Sequence, residues 1–299
     1  MRVRCDTSRD QGEAPGRHAE MGNIALRRHH NLSTHRRIAF GTWQPADDPT
    51  VYGTVAIRME PALAYIERFK QQTGQRLTVT ALVGKAVAKA FEAMPEANAI
   101  LRLGGIYLRE EIHLSFMVLM REGEDKKFDL GLASIRNADQ KSLADIARAL
   151  DKDVDVVREG KRRDLEQTKG LFRAIPTWLS RPLLKVLGFL SYGLNLDLRW
   201  AGVPPDPFGS ATISNIGSLG LEGGYAALVP YSRCPMAIAV GAVQDEPVVD
   251  EGQVRPGKVM RVFTSFDHRV IDGAHAAVMA RVVRECLEDP FAHFDTLDP

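Results

Sequence analysis

The stretch FTSFDHRVIDGAHAAV, residues 263–278, decides how this chain is read. FTSF alternates and ends in polar residues, as a half-buried strand does when it leaves a sheet. AHAAVMARVV then recurs at helical spacing, with Ala274, Val278 and Val282 on one face. Between them stand Asp267, His268 and Arg269, then Asp272 and Gly273. His268 therefore sits at a strand end, before a turn that Gly273 makes at little steric cost. Such junctions hold catalytic side chains well, because a rigid element positions a loop residue. The spacing leaves two roles for Asp272, orienting the imidazole or pairing with an arginine to brace the loop. A strand-end histidine among surface ion pairs is the plainer alternative.

The 299 residues are 44% hydrophobic and 26% charged, enough for a sizeable core in one large domain or two smaller ones. With 39 basic against 38 acidic residues the net charge is +1, which argues against a nucleic-acid partner. Cys5, Cys234 and Cys286 lack metal or redox spacing and suit a reducing, cytoplasmic setting. Residues 1–25 are polar and charged, read as a disordered leader without the apolar run of a signal peptide. No stretch of about twenty apolar residues predicts a transmembrane helix. RRHHNLSTHRR (27–37) places His29, His30 and His35 among arginines; those cations oppose metal binding, and no metal site is expected.

The remainder, 26–299, reads as one mixed α/β domain. Strands are expected at 51–59, 106–110, 112–120, 128–135, 210–218, 234–243 and 258–266. Helices are expected at 60–74, 78–95, 141–161 and about 273–288, with Ser180 capping another that carries Pro182 in its first turn. No glycine cluster follows a strand and opens a helix, so a dinucleotide or phosphate loop is not expected.

DHRVIDG (267–273) resembles the signature of the catalytic domain of the 2-oxo acid dehydrogenase complex acyltransferases, which share a reduced His-x-x-x-Asp-Gly pattern with chloramphenicol acetyltransferase. Further resemblances follow in order: RRIAF (36–40), LTVTALVGKAVAKAFEAMPEANA (77–99), NADQKSLADIARAL (137–150), SATISNIGSLG (210–220) and LEDP (287–290). The resemblance implies a chloramphenicol acetyltransferase-like fold, a mixed sheet with flanking helices. It implies acyl transfer between coenzyme A and a dihydrolipoyl or other thiol, with acyl-CoA as substrate. His268 would be the general base, and Ser214, or less favourably Thr212, would stabilise the oxyanion. Asp272 would brace the loop by pairing with Arg36 or Arg37. Gly273 would support the turn, and Asn215 would shape the oxyanion turn or serve as an ordinary turn residue. Family members form trimers with sites between subunits, so a homotrimer is expected, His268 from one protomer facing Ser214 of the next.

Three departures qualify the resemblance. No lipoyl or subunit-binding domain is read in the chain, so no covalent lipoyl group is expected; either a separate lipoyl-bearing protein supplies the arm, or the substrate is a free acyl-CoA or a different acceptor. Residues 170–209 look like an apolar insertion, and packing, an altered acyl or acceptor pocket, and membrane-surface contact are its explanations in that order. The C-terminal FAHFDTLDP is acidic rather than apolar, which predicts a free trimer instead of a giant core. Two rival functions stay open: a non-catalytic trimeric scaffold, and an acyltransferase acting on a small alcohol or amine.

Overall fold

The computed structural model describes residues 48–122, 127–158 and 176–297. The leader 1–25, the histidine-rich segment, Arg36 and Arg37 lie outside the described residues. The elements are β1 (Thr50–Arg58), α1 (Glu60–Thr73), α2 (Val79–Ala93), β2 (Ala99–Arg102), β3 (Gly105–Leu108), β4 (Leu114–Glu122) and β5 (Lys127–Ile135). They continue as α3 (Leu143–Arg158), α4 (Thr177–Gly188), β6 (Ala211–Asn215), β7 (Met236–Asp250), β8 (Gln253–Asp267), α5 (Gly273–Glu288) and the short α6 (Pro290–His293).

Six strands form one sheet in the order β1-β8-β7-β6-β4-β5. Only β6 runs parallel to its neighbours, β4 and β7; every other pair is antiparallel. This is the mixed sheet with flanking helices that the residue pattern predicts. Alternation sorts each strand. Phe116, Ile213, Ile238 and Val262 point to a core that also takes Leu82, Val87 and Phe91 from α2 and Met279 and Val283 from α5. The opposite-facing positions on the same strands are Ser115, Met117, Thr212, Ser214, Ala237, Ala239 and Phe263.

Local chemistry explains most boundaries. The Thr78 hydroxyl accepts from Ala81 N at 3.1 Å and opens α2. Ser142 does the same for α3, accepting from Asp145 N at 3.1 Å, as the Ser-based cap predicted. Lys85, buried on α2, donates to the carbonyls of Asp139 (2.7 Å) and Lys141 (2.6 Å), tying that helix to the approach of α3.

Three expectations are corrected. No strand is among the expectations at 99–102, yet AILR pairs with β3 across the positive-φ turn at Leu103 and Gly104. The strands expected at 234–243 and 258–266 are the sheet-bound halves of a longer hairpin that closes at Glu251 and Gly252, both with positive φ. Two prolines hid its outer part. Pro247 opposes Pro256 where no third strand needs their missing N–H groups, since β1 pairing stops at Arg58 opposite Val259. Ser180 is not a cap: α4 begins just after Pro176 and carries Pro182 in its interior.

Strand β6 is seated by a close contact. Gly209, at φ 66°, stands two residues before it, and a Cβ there would land on the His113 carbonyl. His113 N donates to Ser210 Oγ at 3.0 Å, and Ser210 N donates to the His113 carbonyl at 2.7 Å. His113 is 3% exposed and neither ring nitrogen has a hydrogen-bond partner among the described residues. Burial, followed by the charge of Arg136, lowers its pKa to about 4, with Asp206 and Glu111 opposing and Arg109 adding. The folded imidazole stays neutral where the unfolded one protonates, so stability is lost as pH falls from about 6.5 towards 4. That loss should approach about 3 kcal/mol. Urea unfolding at pH 7 and pH 4.5 should show it, and His113→Phe should flatten that part of the slope.

Candidate functional site

β8 delivers the opening motif. Paired with β1 on one side and β7 on the other, it ends at Asp267, and the chain turns with Val270 N and Ile271 N donating to the Asp267 carbonyl at 3.0 and 2.9 Å. The Asp267 carboxylate accepts from Arg269 N (3.0 Å), Nε (2.9 Å) and Nη2 (2.6 Å). Burial raises the Asp267 pKa, but these donors outweigh it and hold the carboxyl below its ordinary value. His268 N donates to the Pro49 carbonyl at 2.9 Å, fixing the backbone while the residue itself stays exposed.

Asp272 takes a role that the sequence reading did not weigh. Its carboxylate caps α5, accepting from Ala274 N at 2.8 Å and His275 N at 3.0 Å. The His275 ring closes the capping box by accepting from Asp272 N at 3.3 Å. Hydrogen bonding to His275 N is the main reason its carboxyl lies below the usual range. Gly273 is the first residue of the capped helix. The aspartate thus braces the turn through a helix terminus, whereas both expected arginine partners fall outside the described residues.

On β6 the hydroxyls differ. Thr212 Oγ1 lies 3.0 Å from Ser115 Oγ, which itself donates to the Phe208 carbonyl at 2.9 Å. Among the described residues no hydrogen bond within the chain engages the Ser214 hydroxyl. Ser214 faces a cavity of about 410 Å³ whose walls include Met117, Phe208 and Leu221. Asn215 closes the strand: its amide donates to Thr80 Oγ1 at 2.7 Å, and its Oδ1 accepts from Ser218 N at 3.0 Å. It shapes the turn after Ser214 by linking it to the start of α2.

The register keeps His268 and Ser214 apart within one protomer. Ser214 lies opposite Ala239, Ala239 opposite Phe263, and His268 is five residues beyond Phe263. At about 3.3 Å per residue and about 4.8 Å per strand, the two Cα atoms are roughly 19 Å apart. The two side chains of one chain cannot share a substrate atom.

The predicted insertion docks on this end of the molecule. Asp206 pairs with Arg109 Nε at 2.9 Å, Arg102 Nε donates to the Gly193 carbonyl at 2.7 Å, and Tyr192 packs edge-on to Tyr231 at 6.0 Å. Tyr192 and Leu198 are buried, which supports packing on the domain, while Trp200 remains 85% exposed. Sequence reading missed Arg109, whose guanidinium is nearly enclosed, because nothing local marks an arginine whose partner lies about a hundred residues away. Among the described residues no group of His, Cys, Asp or Glu is placed to hold a metal ion, and no helix is long and apolar enough to cross a membrane.

The mixed sheet thus presents an unpartnered strand hydroxyl and, out of its reach, a strand-end histidine. Residues 28–174 and 208–294 match the family of 2-oxoacid dehydrogenases acyltransferase (catalytic domain), and the chain belongs to it. The unmatched residues between these two parts fall within the expected insertion. The acetyltransferase component of the acetoin cleaving system of Bacillus subtilis is 24% identical over 75% of this chain and 44% of its own length. A probable succinyltransferase component of the 2-oxoglutarate dehydrogenase complex of Schizosaccharomyces pombe is 25% identical over 86% of this chain and 46% of its own. The chain thus spans less than half the length of these curated relatives. Among solved structures, a probable dihydrolipoamide acetyltransferase of Listeria monocytogenes superposes with TM-score 0.60 at 18% identity, covering 91% of this chain and 99% of that one. The dihydrolipoamide acetyltransferase of Azotobacter vinelandii, studied for a serine, a histidine and an asparagine in its catalytic mechanism, gives 0.59 at 22%, covering 86% of each chain. These likenesses bear out the expected fold.

Asn215→Ala should leave Ser218 N and Thr80 Oγ1 without their partner and cost about 1–3 kcal/mol of unfolding free energy in denaturant melts.

Proposed function

We propose that this chain is an acyltransferase that moves an acyl group between coenzyme A and a dihydrolipoyl thiol carried by a separate lipoyl-bearing protein. His268 acts as general base and Ser214 of the adjacent protomer as oxyanion donor, in a homotrimer. The observation that carries this reading is the Ser214 hydroxyl, unpartnered beside an apolar cavity and beyond the reach of its own chain's His268. The seam between two protomers is where the two groups can meet.

The imidazole of His268 takes the proton of the attacking thiol as its sulfur adds to the thioester carbonyl. A carbon–sulfur bond forms, and the carbonyl electrons move to oxygen, where the Ser214 hydroxyl donates. Such a donor is worth about 3 kcal/mol in the transition state. The tetrahedral adduct collapses, the original sulfur leaves as thiolate, and it takes the proton back from the imidazolium. Asp272 acts at one remove, by fixing the turn that carries His268. In the Azotobacter enzyme the asparagine stands four positions after the histidine, where this chain has Asp272. Cys234 and Cys286 are free and buried, which suits a reducing cytoplasm.

Release of coenzyme A from acyl-CoA, with and without dihydrolipoamide, tests the reading. His268→Ala should lose about 10²–10⁴-fold in kcat, and Ser214→Ala about 10²–10³-fold. Wild-type rates in His268→Ala would remove the proposal, and no release above background by the wild type itself would favour the scaffold reading. Co-refolding these two inactive variants should restore about a quarter of the sites if each is built from two protomers. A site within one chain would recover nothing.

A further inference from the structure

We infer that the cavity beside Ser214 is the acyl pocket and that it selects hydrocarbon acyl groups longer than acetyl over both acetyl and succinyl. This rests on the acyltransferase reading above. The acyl chain hangs from the same carbon as the oxyanion that Ser214 holds, so its first carbon lies two bonds from that oxygen and the space adjoining the hydroxyl is within its reach. That space is about 410 Å³. A water in the liquid takes about 30 Å³, so an acetyl group would leave most of the cavity empty.

The depth comes from small residues on β7. Ala237 lies beside Thr212 and Ala239 beside Ser214, so two alanines floor the space below the β6 hydroxyls. Met117, Phe208, Leu228 and Val229 form walls.

Besides Ser214 and the exposed Tyr225, the polar side chains that line it are already committed. Thr212 is engaged with Ser115. Ser232 Oγ donates to the Val229 carbonyl at 2.7 Å and accepts from Cys234 N at 3.1 Å. The Cys234 thiol donates to the Met236 carbonyl at 3.2 Å, and burial pushes its pKa up, so it adds no charge. No cation lines the cavity among the described residues, and the nearby Arg109 is paired with Asp206. A succinyl carboxylate would be desolvated with no cation to pair with, and the amides of a pantetheine arm would lose most of their water partners. A plain hydrocarbon meets neither penalty.

Each methylene buried should raise kcat/KM about fourfold until the cavity is full. The test uses the full chain with acetyl-, butanoyl-, hexanoyl-, octanoyl- and succinyl-CoA at fixed dihydrolipoamide. The expected result is kcat/KM rising from acetyl through hexanoyl, with succinyl below acetyl. Ala237→Leu, and Val229→Trp on an exposed part of the wall, should each lower the hexanoyl-to-acetyl ratio at least tenfold. A flat or falling series, succinyl as the best substrate, or a ratio untouched in both variants would overturn the inference. If no thioester releases coenzyme A, the acyltransferase reading itself fails, and calorimetry then decides the pocket. Octanoyl-CoA binding more tightly than free coenzyme A, with the gain lost in Ala237→Leu, supports it; equal affinities overturn it.

Discussion

The structure depends on a parallel seat for one short strand. β6 has five residues, and it is held between β4 and β7 by pairing that begins at Ala211, two residues after Gly209. The reciprocal bonds between His113 and Ser210, and the space that only a glycine leaves against the His113 carbonyl, fix where that strand starts. Strand alternation then does the rest: Ile213 enters the core while Thr212 and Ser214 face away. A one-residue slip would bury both hydroxyls and expose the isoleucine. The chemistry proposed for Ser214 therefore rests on a contact made about a hundred residues earlier in the chain.

The same alternation gives the sheet two unlike faces. Apolar positions meet α2 and α5, so that face is closed by helices. The other carries alanines, hydroxyls and a few large apolar groups, covered in part by the loop through Tyr225, which packs edge-on against Phe263. That face holds a cavity because its β7 residues are small. Among the described residues, the segment outside the family match is joined to this end of the domain by the Arg109–Asp206 ion pair, by arginine-to-carbonyl bonds from Arg102 to Gly193 and from Arg136 to Pro205, and by a tyrosine pair. Buried Tyr192 and Leu198 show how it is anchored; exposed Trp200 and Val186 show that much of its apolar surface is not used for that purpose.

What the sequence by itself determined is local. A strand ending at Asp267, a helix opening at Gly273, the hydroxyl caps of α2 and α3, and the apolar excursion before β6 were legible, because period and capping chemistry act within a few residues. The ordered motifs also disclosed the family. The outer hairpin was hidden by prolines that are harmless only where no third strand pairs. The helix start before Ser180 was hidden because Pro182 resembles a first-turn residue. Asp272 was read towards an arginine when its nearest donors were the next two backbone N–H groups but one. Only the tertiary structure decided that Thr212 is committed and Ser214 is not, that Arg109 is sealed against Asp206, and that His268 and Ser214 of one chain stand far apart. Those facts follow from strand order and register, which bring together residues many positions distant, and no local pattern in a sequence encodes which strands become neighbours.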